Sequence, residues 1–358
     1  MDKAAKQFLF DLLRQPSPTG WEEPGQAIWM KRMRTFTNQV EQDAYGNAWA
    51  TFPCERDGAP VVMLEAHADE IGFIIKHITE DGFLRLDRVG GIDHATARGR
   101  RLTILGEKGP VPGIIGNTAI HIRDRKGGEK APEIHELYVD VGVSSAKEAA
   151  KLGLRIGLPA VYEEGPVELG KKRIVGRALD NRIGGFILSE VGKALHAQEN
   201  PADATIILAN CVHEEIGGLG SMMVAHRLHP DVCVVLDVTH ATDTPGIKVE
   251  KHGKVTLGGG PAHTHGAANQ RRVVQRLMDV ADAASLPLQH EAASRFTGTD
   301  ADKIYPIREG IPTALVSLPL RYMHSVVETA DLGDIQQVTQ LLHDFALSVQ
   351  EKREFHPG

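Results

Sequence analysis

Apolar and polar positions along the chain alternate between two textures. Phe8, Leu9, Leu12 and Leu13 are spaced for one face of a helix over residues 3–14, which Pro16-Ser-Pro-Thr-Gly20 ends. A second helix is predicted from near Trp21, with Glu22 and Glu23 at its positive end and Ile28, Trp29 and Met33 as its buried stripe. Asp43-Ala-Tyr-Gly-Asn47 reads as a turn between two short strands, and Pro60 to Ala66 as a compact apolar strand. From Gly72 to about Tyr162 the pattern becomes short alternating segments: Phe73–Ile78, Phe83–Val89, Arg101–Leu105, Val111–Ile115 and Glu136–Val143. Gly, Asp and Pro turns separate them, the signature of a small all-β barrel. Asp124 to Lys130 forms a charged loop within it, and Ser145 to Leu152 a short helix capped by Ser144 or Ser145.

The longer α/β texture then resumes. Arg173 to Leu179 is a predicted strand leading to Asp180 and a helix carrying Ile187, Leu188, Val191 and Leu195. Strands follow at Ala204–Ala209, Val232–Leu236, Leu288–Ala293 and Thr313–Leu318, with helices near Ser221–His226, Gln270–Ala284 and Leu332–Val349. The strand from Val232 is expected to end on Asp237, and Gly258 to His265 to be a glycine-rich loop whose His263 and His265 are loop or substrate-edge residues. That loop lacks the Gly-Lys-Ser/Thr ending of a phosphate loop. The layout is an α/β domain, residues 1–71 and 163–358, interrupted by a β-barrel domain, residues 72–162.

Composition narrows the class. A net charge of -7 gives no basic footprint for nucleic acid, and no apolar run reaches the length of a membrane span. The first residues lack the apolar core of a signal peptide, so a cytoplasmic location is expected. Cys54, Cys211 and Cys233 are an odd, widely spaced set without a CxxC pair, which points to neither a disulfide framework nor a cysteine zinc site.

The candidate chemistry lies where strands run out. Glu214 and Glu215 follow an apolar run, and alone they would read as a solvated pair at a helix N-terminus. His67 and Asp69 share a face of an extended chain, so the aspartate can orient the histidine. Asp180 alone would read as a helix cap. Together His67, Asp180, Glu215, Asp237 and His324 all fall at or just beyond strand ends, the edge where open α/β sheets bind ligands. Two histidines, two terminal carboxylates and one carboxylate able to bridge suit two divalent ions such as zinc, cobalt or manganese, and not calcium with its all-oxygen preference.

These residues resemble the glutamyl and deblocking aminopeptidases that assemble as tetrahedral particles, a family of dinuclear metallopeptidases. Ala66-His-Ala-Asp-Glu-Ile-Gly72, Leu179-Asp-Asn-Arg182, Glu214-Glu-Ile-Gly217 and Tyr322-Met-His-Ser325 occur in the family's order, and Val141 to Ser145 and Leu154 to Gly157 extend the likeness. The resemblance implies a mixed-sheet α/β/α zinc-peptidase-like catalytic domain with the barrel inserted for dimer contacts and assembly, up to a dodecamer. It implies that His67, Asp180 and Asp237 hold one metal and Asp180, Glu215 and His324 the other. Asp69 would support His67, and Glu214 would be the general base in hydrolysis of short peptides. His121, and Asp300 in Thr297-Gly-Thr-Asp300, are implied near the substrate. His213 stands where glutamine is more usual, Gly218-Leu-Gly220 replaces a leucine-arginine-glycine, and Gly258 to Arg272 has no familiar counterpart. Two alternatives remain at this stage: a glycoside hydrolase using the carboxylate pair without metal, and a non-catalytic metal-binding assembly protein.

Overall fold

Asp2 starts the first helix, Lys3–Arg14: its carboxylate accepts the Ala5 N–H at 2.7 Å, and Ala5, Leu9, Leu12 and Leu13 form the buried face. The second helix, Glu23–Met33, begins two residues later than Trp21, which lies outside it and is exposed. Its stripe is Trp29, Met30 and Met33, with Ile28 only half-buried. The Trp29 indole N–H donates to the Gly185 carbonyl at 2.8 Å, tying this helix to the long central one, Leu179–Ala197. This computed structural model describes residues 1–122, 131–198 and 202–356. The charged loop Asp124 to Lys130 lies outside the described residues.

The central sheet has eight strands in the order Val40–Gln42, Ala48–Phe52, Thr205–Cys211, Val61–His67, Val232–His240, Thr313–Leu320, Ala262–Gly266, Gln289–Ala293. The four middle strands from Thr205–Cys211 to Thr313–Leu320 run parallel, so their carboxyl ends share one edge. Ala48–Phe52 and Ala262–Gly266 join this block antiparallel, which makes the sheet mixed. Helices Lys3–Arg14, Glu23–Met33, Leu179–Ala197, Arg271–Ala283 and Leu332–Ser348 cover one face with a core that includes Leu64, Phe186, Leu277 and Phe345. On the other face Met63, Cys211, Val224, Cys233, Ala301 and Ile304 pack together beneath Leu219–Leu228 and Ala301–Ile304. All three cysteines are free, two of them buried here.

The inserted barrel is closed by six antiparallel strands, Gly72–Ile78, Leu84–Val89, Tyr138–Asp140, Gly109–Ile115, Arg101–Gly106 and Pro159–Tyr162. Phe73, Ile75, Leu86, Leu102, Ile104 and Val139 fill it. Ser145 is the cap of the short helix Ala146–Lys151.

The structure corrects two local expectations and adds a strand. Asp237 does not end its strand but sits within Val232–His240, paired with Ser317, because Val238 to His240 continue the ladder. His263 and His265 are on a strand, Ala262–Gly266, and not in a loop; pairing with Gln289–Ala293 outweighs the local glycine signal. Glu328–Asp331, too short and polar to register as a strand, pairs with Arg173–Gly176 in a separate three-stranded sheet with Val167–Leu169.

Phe345 is fully buried between the closing helix and the sheet. Phe345→Ala is expected to cost roughly 3–5 kcal/mol, read as a lowered midpoint in urea unfolding. A change below about 1 kcal/mol would place this core elsewhere.

Candidate metal centre

His67 ends its strand with its ring 2% exposed. Its Nδ1 lies 3.2 Å from the Asp69 carbonyl oxygen, which can only accept, so Nδ1 carries a hydrogen and Nε2 faces the site. That Nε2 is 3.2 Å from Asp180 Oδ1, 3.7 Å from Asp237 Oδ1 and 3.8 Å from Glu214 Oε2. His324 mirrors the arrangement. Its Nδ1 is 3.0 Å from the Gly91 carbonyl oxygen, and its Nε2 is 3.2 Å from Asp180 Oδ2 and 3.6 Å from Glu215 Oε2. The two oxygens of Asp180 therefore address two different imidazoles, each with a further carboxylate beside it.

Asp180 does not cap its helix. Its backbone is non-helical, as is that of Asn181, and it is Asn181 Oδ1 that accepts the Gly184 N–H at 3.0 Å while Asn181 Nδ2 donates to the Leu236 carbonyl. The Asp180 carboxylate is thereby left free to project into the site. Glu328, buried at 1% exposure, accepts the Asp180 N–H at 3.2 Å and the His324 N–H at 2.7 Å, holding both segments. Sequence reasoning missed Glu328; the available signal was a lone carboxylate four residues after His324 amid valines, threonine and alanine.

Asp69 is completely buried and does more than orient a histidine. Its Oδ1 accepts the Glu214 N–H at 3.0 Å; its Oδ2 accepts the Glu215 N–H at 3.1 Å and the Thr19 hydroxyl at 2.7 Å. The Glu-Glu pair is thus clamped through its backbone, and the two side chains diverge, Glu214 towards His67 and Glu215 towards His324. His213, in the left-handed region at φ 63°, places its Nε2 3.7 Å from the buried Glu22 carboxylate and its ring edge-on to Tyr45.

The barrel reaches into this centre. A Cβ on Gly91 would stand 2.7 Å from His324 Nδ1, and one on Gly90, whose φ is 74°, 3.2 Å from Glu215 Oε2. Both positions require the bare backbone for close approach.

Electrostatics follow from burying four carboxylates around two imidazoles. Burial pushes Glu214 up to about 10, with His67 opposing and Asp237, Asp300 and Asp180 adding to it. Burial and the Asp180 charge raise Glu215 well above the carboxylate range, and burial raises Asp237. Asp180 goes the other way: burial favours its neutral form, but hydrogen bonds from His324 and His67 hold it low. Burial works against charging either histidine, yet the adjoining aspartates raise both. An array of this kind needs protons or cations between its members. His67, Asp180 and Glu215 each offer an atom within 4.8 Å of the others, the spacing of a metal-holding group.

A cavity of about 750 Å³ opens on the centre, lined by Asp180, Glu214, Glu215, Asp237 and His324 and walled by residues from Phe296 to Lys303. This cavity meets the titratable cluster directly. Asp300, expected near substrate, is 1% exposed and does not line the cavity; Thr299 and Asp302 do. Burial pushes Asp300 up to about 6, against a hydrogen bond with Glu65. His121 is exposed on the short turn Ile120–Ile122 of the insertion and is not among the lining residues.

The fold finds its counterparts among known proteins. The chain belongs to the M42 glutamyl aminopeptidase family, which matches residues 46–341. It is 33% identical over 340 residues to the lysyl aminopeptidase of Pyrococcus furiosus, covering 94% of each chain. Its structure matches that of an aminopeptidase from the archaeon Desulfurococcus kamchatkensis with a TM-score of 0.91 and 30% identity, over 99% of this chain and 98% of that one. The TET1 peptidase of Pyrococcus horikoshii, which can assemble into a tetrahedron or a large octahedral shell, matches at 0.85 and 27% identity, over 96% and 100%. The protein is accordingly a metallo-aminopeptidase, with the mixed sheet and inserted barrel of its solved relatives.

Glu22 supplies a pH test of the clamp beside the centre. Burial first, and the Asp69 charge second, push its carboxyl from 4.5 up to about 7. The folded chain then binds more protons than the unfolded one between these values, so this contribution to stability is full below the lower value and lost as pH rises through the upper. Glu22→Gln in the metal-stripped protein is expected to flatten that decline, gaining on the parent between pH 5 and 8, as measured by urea midpoints. Parallel pH profiles for the two proteins would contradict it.

Proposed function

We propose that the chain removes the N-terminal residue from short peptides at a centre of two divalent ions, with Glu214 as the general base. The observation that supports this best is the orientation of the two histidines. Backbone carbonyls of Asp69 and Gly91 take up the Nδ1 hydrogens, so two Nε2 lone pairs face opposite oxygens of Asp180 at 3.2 Å each. Only a proton or a cation between nitrogen and oxygen makes that contact favourable, and the mixed nitrogen and oxygen donors suit zinc, cobalt or manganese. Glu215 Oε1, buried and without a hydrogen-bond partner among the described residues, fits the same reading.

On this assignment His67, Asp180 and Asp237 would hold one ion, and Asp180, Glu215 and His324 the other. When bound, the ions would lower the pKa of a water and polarise the scissile carbonyl. Glu214, whose Oε2 points at the His67 side, accepts the proton of that water and delivers it to the departing amine. Bound cations would bring its carboxyl down from the high value set by burial, and Asp69 holds its backbone in place. The carboxylates of the cavity recognise the free amine of the substrate. Asp300 acts behind the cavity wall through its neighbours Thr299 and Asp302, and His121 serves the cavity of an adjoining subunit.

We assign residues 1–71 and 163–358 to catalysis and 72–162 to assembly, in a dimer-based particle up to the dodecamer found for a TET1 relative. Among the described residues no helix is long and apolar enough to cross a membrane. Three unpaired cysteines agree with a cytoplasmic setting. The glycosidase alternative would leave His67 and His324 without a task, and Phe296 is the single Phe, Tyr or Trp among the lining residues. The non-catalytic alternative would require a missing base or ligand, and each expected position is filled.

Glu214→Gln should lower turnover on aminoacyl-anilides by roughly a hundredfold to ten-thousandfold with metal content retained. Full activity with both ions bound would remove Glu214 from the base role. Glu215→Ala should instead lose metal, as counted by elemental analysis. Chelator treatment should abolish hydrolysis and added zinc, cobalt or manganese restore it; activity that persists through chelation would sink the metal mechanism.

A further inference from the structure

The strand pair at the far edge of the central sheet carries three imidazoles that the aminopeptidase centre does not use. Ala262–Gly266 and Gln289–Ala293 run parallel, with His263 opposite His290 and His265 two residues further along the same face. His265 Nε2 lies 3.0 Å from His263 Nε2 and 3.0 Å from His290 Nδ1. One in-plane nitrogen, which has either one hydrogen or one lone pair, thus meets two ring nitrogens at hydrogen-bond distance. A proton on that nitrogen serves only one of those contacts, and without it two donors have to share a single lone pair. A cation at the point where the three converge satisfies all of them.

We propose that His263, His265 and His290 form a separate site for one first-row transition cation of the zinc class. Metal–nitrogen bonds near 2.0–2.1 Å in a tetrahedron place ligand nitrogens about 3.3 Å apart, a few tenths of an ångström beyond the two 3.0 Å contacts, and the ligand atoms of the three rings all lie within 4.8 Å of one another. The three nitrogens contributed by two hydrogen-bonded strands make a pre-set triangle. His263 is buried, while His265 and His290 are exposed and leave the fourth position to water. Burial, reinforced by the neighbouring rings of His290 and His265, lowers His263 to about 4, which keeps its lone pair available at neutral pH. An all-imidazole set excludes calcium and magnesium and favours zinc, nickel or copper, unlike the carboxylate-rich peptidase centre.

The two centres are distinct in place as well as chemistry. Asp237 pairs with Ser317, which pairs with Ala262, whereas His263 pairs with Val316. Strand alternation therefore sends the histidines to the opposite sheet face from Asp237. The site's natural role is a clamp. Among the described residues Gln289–Ala293 is the outermost strand of the sheet, its ladder formed with Ala262–Gly266, and it leads directly into the cavity wall that begins at Phe296. On the other face of that strand Glu291 accepts the Thr239 hydroxyl at 2.6 Å, and Thr239 also lines the cavity. A cation bridging the pair would fix this edge strand and stabilise the chain by mass action.

The test is zinc titration of the chelator-stripped full-length protein by calorimetry, run on the parent, on the double variant His265→Ala/His290→Ala, and on Asp180→Ala. The double variant should bind one equivalent fewer per subunit and lose part of the zinc-induced rise in Tm. Asp180→Ala should still bind one equivalent, and that equivalent should vanish when the three substitutions are combined. Cobalt in Asp180→Ala should give the visible absorption of a nitrogen-ligated tetrahedral centre. Both replaced histidines are exposed, and far-UV dichroism checks that the variants are folded. Unchanged stoichiometry in the double variant, or no binding to Asp180→Ala, overturns the site. If instead the peptidase assignment is at fault, Asp180→Ala alone leaves the total unchanged while the histidine pair still removes one equivalent.

Discussion

The buried carboxylate of Asp69 is the constraint on which the centre depends. Three donors from two places in the chain converge on it: the Thr19 hydroxyl after the first helix, and the Glu214 and Glu215 amides after a strand nearly 150 residues away, by separations of 145 and 146. Charge-assisted hydrogen bonds of this kind are each worth about 1.5–3 kcal/mol, and a buried donor left without a partner costs about as much. The carboxylate therefore has a fixed place, and it fixes in turn the backbone from which Glu214 and Glu215 diverge. Its burial is compatible with charge because the same bonds, with His67, keep it ionised.

Around that clamp the site is assembled by supports rather than by the reactive groups themselves. Asn181 takes the helix-capping task, which frees Asp180; Glu328 holds the backbones of Asp180 and His324; the carbonyls of Asp69 and Gly91 set the histidine tautomers. A second buried pair, Arg177 with Glu70, joins the segment before Asp180 to the turn after His67, and Glu70 also accepts the Ser17 N–H at 2.8 Å. The reactive carboxylates are thus held against mutual repulsion by neighbours that carry little of the chemistry.

The parts legible in the sequence were those that leave a local trace. Period-2 and period-3.6 patterns located five of the six barrel strands, all but Pro159–Tyr162, and the helices Lys3–Arg14 and Leu332–Ser348, since burial on one face writes itself into neighbouring positions. The site residues were legible because the edge of a parallel sheet concentrates ligand chemistry, and His67, Asp180, Glu214, Glu215, Asp237 and His324 do converge, although Asp237 lies within its strand and Asp180 follows a strand of the smaller sheet. What could not be read were relations across long separations. Glu328 makes sense only once Asp180 is beside it, and Gly91 only once the barrel is docked against His324. The histidine pair at 263 and 265 looked like loop chemistry because its partner strand, with His290, comes 25 residues later.

The contact of Gly91 with His324 binds the two parts of the chain more closely than a linker would. An inserted domain usually can be exchanged or removed at its two crossing points while the host keeps its function. Here the insertion lends a backbone carbonyl to the Nδ1 of a ring whose Nε2 faces Asp180, from a glycine too tightly placed to bear a side chain. The tautomer and orientation of His324 thus depend on the inserted barrel as well as on the segment that carries the ring.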